Sequence, residues 1–101
     1  MLKLVSPKEV HEYAKEKGWW DNERNIPELL CLVHSEISEA LEAYRNNVKE
    51  GEPHSVGEEL ADAVIRIWDM CEYLGIDIVD EINKKHKINL QRPYRHGGKL
   101  C

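Results

Sequence analysis

The chain has 101 residues, a formal net charge of −5 and 33% charged residues, which bounds it to one small domain with a modest core. All nineteen Asp and Glu stand at or before Glu81, against eight Lys and Arg in residues 1–83. The other six (Lys84, Lys85, Lys87, Arg92, Arg95 and Lys99) follow with no acid among them. An acidic body with a basic tail argues against nucleic acid as a partner, and no apolar run reaches the length that spans a membrane.

Cys31, Cys71 and Cys101 have no Cys-x-x-Cys spacing and read as reduced thiols of a cytoplasmic protein. Met1-Leu2-Lys3-Leu4-Val5 is too short for a signal peptide. The expected organisation is one domain over residues 1–101: a helical body over about 6–91 and a basic tail over about 92–101.

Ser6-Pro7-Lys8-Glu9 is a capping box with proline at the first helical position, so a helix starts there. It runs to about Lys17 and stops at Gly18. Trp19-Trp20 and a polar loop from Asp21 to Asn25 follow. A second helix is predicted from about Pro27 to about Asn46. On a helical wheel Leu29, Leu30, Val33, Ile37, Ala40, Leu41 and Tyr44 share one stripe, with Glu36 and Glu39 at its edge. Asn46 to Pro53 breaks the chain. Ser55-Val56-Gly57-Glu58 is a second capping box, and the third helix should reach Leu74 and end at Gly75. Leu60, Ala63, Val64, Ile67, Met70, Cys71 and Leu74 form its stripe, and Glu59 and Asp62 repeat the edge position. Ala61, Ile65 and Trp68 widen that arc beyond a normal surface helix, which predicts a subunit interface. A fourth helix begins near Asp77 and ends before Arg92-Pro93. The expected fold is all-α, a four-helix bundle-like protomer in an oligomer.

Glu36 and Glu39, like Glu59 and Asp62, are spaced i, i+3, so each pair shares a helical face. Such pairs are ordinary on solvated surfaces. Two of them on consecutive helices, each at the edge of an apolar stripe, form a cluster that repels itself unless a cation sits in it. An all-oxygen donor set points to Mg²⁺ or Mn²⁺. His34 does not complete a Glu-x-x-His motif, which disfavours a di-iron site. Lys85 and Asn89 lie i, i+4 on one face of the fourth helix, and in the tail Arg92 and Arg95 flank Pro93-Tyr94. These residues suit phosphate oxygens, or else simply neutralise the acidic body. Trp19 and Trp20 are core or interface residues, or one of them stacks on a base.

These words together resemble those of the MazG-like nucleotide pyrophosphohydrolases, the all-α NTP pyrophosphatase group. The carriers are Glu36-x-x-Glu39 and Glu59-x-x-Asp62, with Gly18-Trp19-Trp20, Ser35 to Ala43, and Asn89-x-x-Arg92-Pro93-Tyr94-Arg95-His96-Gly97-Gly98-Lys99. Ser35 departs from the pattern, standing where the longer signature has a first Glu. The resemblance implies the MazG-like architecture in a short single-domain form. It also implies a Mg²⁺-dependent enzyme that cleaves a (d)NTP between the α and β phosphates to monophosphate and pyrophosphate, in nucleotide-pool sanitising. Glu36, Glu39, Glu59 and Asp62 would be its metal ligands, in a homodimer or homotetramer. Glu58, or a ligand carboxylate, would take the proton from the attacking water. Lys85, Asn89, Arg92 and Arg95 would contact the substrate, with Trp19 and Trp20. The competing readings are a non-catalytic helical interaction module, a nucleotide sensor that does not cleave, and a dUTP- or other nucleotide-specific hydrolase of the same helical group.

Overall fold

The computed structural model describes residues 3–93, and it is helical: α1 Pro7–Glu16, α2 Ile26–Arg45, α3 Val56–Leu74 and α4 Ile78–Leu90, with no strand among the described residues. Each helix starts on a side-chain oxygen. The Ser6 hydroxyl accepts from Glu9 N–H while the Glu9 carboxylate accepts from Ser6 N–H, both at 3.2 Å. Asn25, Ser55 and Asp77 cap the other three helices in the same way, each accepting from the N–H three residues on. The second capping box forms differently from expectation. Ser55 accepts from Glu58 N–H at 3.1 Å, but the Glu58 carboxylate reaches past Ser55 and accepts from His54 N–H.

Three helices end alike. Gly18, Asn47 and Gly75 adopt positive φ (84°, 57° and 74°). The next N–H then reaches back to a carbonyl of the last turn: Trp19 to Ala14, Val48 to Ala43, and Ile76 to Cys71. The closure of α1 therefore sets the direction in which Trp19 leaves the helix.

α2 and α3 form the principal pair, and α1 packs across α3. Glu36 meets Arg66, while the later Glu39 meets the earlier Glu59, the order of an antiparallel pair. The face that α2 buries is Leu29, Glu36, Ala40 and Ala43. Leu30, Ile37, Leu41 and Tyr44, with the same spacing one residue later, stay exposed. The single stripe predicted for α2 is thus two stripes about 100° apart. The small alanines let α3 approach, and this brings Glu36 from the stripe's edge into the contact. α3 follows the pattern in its first turns, burying Glu59 and Ala63 and exposing Leu60 and Val64; further on it buries both Met70 and Cys71 and leaves Leu74 exposed.

α4 departs from the expected bundle. It buries no residue and makes no more than marginal contact with the other helices among the described residues. Val79 and Ile82 of its apolar side are exposed. Its local signals, an Asp77 cap and acids in the first turn, form the helix without supplying a face for it to pack on.

Candidate metal centre

Glu36, Glu59 and Asp62 place one carboxylate oxygen each within 4.8 Å of one another, and His54, Glu58 and Glu59 do the same with their ligand atoms. Glu59 belongs to both groups and is almost fully buried, as is Glu36. Burial pushes the Glu59 carboxyl above its usual range. A hydrogen bond from His54 (3.1 Å) eases that shift, and crowding by Glu39 and Glu36 adds to it. Asp62 is also raised, by burial first and then by the charges of Glu36 and Glu58. His54 is raised chiefly by its bond to Glu59.

The chemistry of this donor set fits a hard divalent cation. Several oxygen ligands crowd two helices, two of them withdrawn from water, and burial with that crowding raises the Glu59 and Asp62 carboxyls. Among the described residues, two side-chain cations touch the cluster: Arg66, whose Nε–H donates to Glu36 Oε1 at 2.9 Å, and the His54 imidazole. Glu39 is exposed and reaches the group through Glu59. Glu58 is exposed, with one carboxylate oxygen committed to His54 N–H.

A cavity of about 690 Å³ opens from Glu36 and Asp62, past Arg66, to Tyr13, Trp19 and Ile65. Its size suits a small-molecule ligand. The two tryptophans part here. Trp19 lines the cavity and is 57% exposed. Trp20 is held in a packing cluster: its Nε1–H donates to Asp69 (2.9 and 3.1 Å), its ring stacks on Tyr73 at 4.4 Å, and Arg24 lies over it at 5.2 Å. His11 Nδ1 shares Asp69 Oδ1 at 2.7 Å.

Lys85, Asn89 and Arg92 are exposed, and none of them lines this cavity or bonds to the carboxylates among the described residues. Arg95 lies outside the described residues, with Tyr94 and His96 to Lys99. Sequence reasoning missed Arg66, Asp69 and the contact from His54. Arg66 stands i+4 from Asp62, a spacing that suggests an intrahelical pair, but its hydrogen bond goes across to α2 instead. No local signal distinguishes the two outcomes. No known protein family, curated protein or solved structure matches the chain.

Proposed function

We infer that this protein is a Mg²⁺-dependent nucleoside triphosphate pyrophosphohydrolase of the MazG-like kind, acting in nucleotide-pool sanitising and assembled as a homodimer or homotetramer. The observation that carries the reading is the convergence of Glu36, Glu59 and Asp62 oxygens within 4.8 Å, beside a cavity walled by Trp19 and Tyr13. The resemblance of the sequence words supplies the reaction class.

In this reading Glu36, Glu39, Glu59 and Asp62 would hold the metal, which when bound would neutralise phosphate charge and activate water for attack. Glu36 and Glu59 are suited to this because burial fixes their rotamers. The water attacks phosphorus and loses its proton to Glu58, through the oxygen not committed to His54 N–H, or to a ligand carboxylate. The bond between the α and β phosphates breaks, leaving monophosphate and pyrophosphate. Trp19 offers a face for the base, while Trp20, by holding the α1–α3 junction, positions its neighbour.

Lys85, Asn89, Arg92 and Arg95 are assigned to the substrate phosphates across a subunit boundary. Among the described residues α4 scarcely touches the other helices, and the exposed stripes of α2 and α3 leave a place for a second copy.

Incubation with Mg²⁺ and a panel of dNTPs and NTPs tests the reading. Pyrophosphate should be released, and orthophosphate alone would sink it. Nucleotide binding without cleavage would make the protein a sensor. Glu39→Gln and Asp62→Asn each remove a ligand charge at constant volume and should each lower kcat at least about 100-fold with the helical content kept. Wild-type rates in both variants would exclude the site.

A further inference from the structure

Arg66 is only 32% exposed and donates through Nε to the nearly buried Glu36. Its terminal nitrogens have no partner among the described residues, and none of them counts as buried and unpartnered. They are therefore accessible, on a side chain that lines both the main cavity and a small adjoining one beside Trp20 and Met70. A guanidinium can hold one carboxylate through Nε and a second anion through its terminal N–H groups.

Position along α3 indicates what that second anion is. Asp62, Arg66 and Asp69 follow one another along the helix, about 6 Å and then about 4.5 Å apart along the axis. Asp62 belongs to the carboxylate cluster, and Asp69 fixes Trp20, the neighbour of Trp19. A nucleotide with its phosphates at the carboxylates and its ring against Trp19 would pass Arg66 where the phosphate chain meets the sugar. Arg24, the other cation on the cavity wall among the described residues, has its guanidinium over the Trp20 ring.

We propose that Arg66 is a substrate-contacting residue, whose terminal N–H groups bind a non-bridging oxygen of the nucleotide α-phosphate while Nε holds Glu36. The proposal rests on the nucleotide reading above. It differs from a role in which Arg66 merely neutralises Glu36, because that role needs no free donors.

The test is calorimetric titration of wild type, Arg66→Gln and Arg66→Lys in Mn²⁺. The probes are the α,β-methylene analogue of a dNTP the wild type hydrolyses, the corresponding monophosphate, and inorganic pyrophosphate; Mn²⁺ alone is titrated as well. Arg66→Gln should weaken the analogue and the monophosphate by about 10- to 100-fold, with pyrophosphate and Mn²⁺ little changed. Arg66→Lys should recover part of the loss, because it keeps the charge without the fork. Unchanged analogue binding in Arg66→Gln overturns the proposal. So does a loss shared equally by pyrophosphate and Mn²⁺, which would confine Arg66 to Glu36. If the wild type hydrolyses no nucleotide and binds none, the nucleotide reading itself falls and takes this assignment with it.

Discussion

Asp69 does more for this fold than its single charge suggests. It accepts from His11 on α1, from Trp20 in the following loop, and sits on α3, so one carboxylate joins three segments. Hydrogen bonds to a charged group outweigh neutral ones, and removing the acceptor leaves two ring N–H groups short of a partner. Asp69→Ala should therefore destabilise the protein by about 2–3 kcal/mol, read from urea unfolding. The Trp20 emission should shift as the ring loses its anchor. A change below about 0.5 kcal/mol, ordinary for a surface site, would mean that the network carries no stability. None of this was legible in the sequence. Asp69 is separated from His11 by 58 positions, and no local pattern pairs them.

At the level of the helix, the offset stripes of α2 divide its apolar residues between a packed face and an open one. Leu29, Glu36, Ala40 and Ala43 are buried on the α3 side; Leu30, Ile37, Leu41 and Tyr44 stay exposed, Tyr44 to 75%. A second copy packed there would bury large side chains that a lone protomer leaves in water. Ile37→Glu should split the proposed oligomer into protomers, seen as a halved or quartered mass by light scattering. In a protein that is monomeric already, the same change would cost at most about 0.5 kcal/mol, and no change of mass would count against the interface. The helix starts and stops were readable because each depends on a few adjacent atoms: Ser6 and Glu9, Ser55 and the Glu58 N–H, Gly75 and its carbonyl partner. The choice between two stripes was not readable, since both are apolar and differ mainly in side-chain size.

Across the molecule, the protonation of the site links stability to pH. Glu59 and Asp62 are raised above ordinary values of 4.5 and 3.8, so the folded protein binds their protons more tightly than the unfolded chain. Stability then falls as pH rises through the raised values. His54 acts in the same direction: its stabilising pair with Glu59 is complete below 6.5 and is lost as pH climbs through its raised value. The metal-free protein should melt at progressively lower temperature between about pH 5 and pH 8. Millimolar Mg²⁺ or Mn²⁺ should raise the melting temperature at pH 8 and do so less at pH 5, because protons compete for the same oxygens. A flat or rising metal-free profile, or no response to either cation at pH 8, would contradict a cation site.

What the sequence determined by itself is the local part of this protein. It set four helices, the Ser6 and Ser55 caps, the Gly18 and Gly75 stops, the acidic body and the two carboxylate pairs, each of which depends on neighbours within one or two turns. Helical periodicity brought Glu36 and Glu39, and Glu59 and Asp62, to the rims of apolar stripes without telling which rim would turn inward. The tertiary structure decided the rest. It turned the small-residue stripe of α2 against α3, sent Arg66 to Glu36 rather than to Asp62, separated Trp19 from Trp20, and left α4 with little to pack on among the described residues. The reason is physical: a cap is a contact between residues three apart, whereas these outcomes depend on which surfaces fit at close approach. That depends on side-chain volume and on charges brought together from 30 or more positions away.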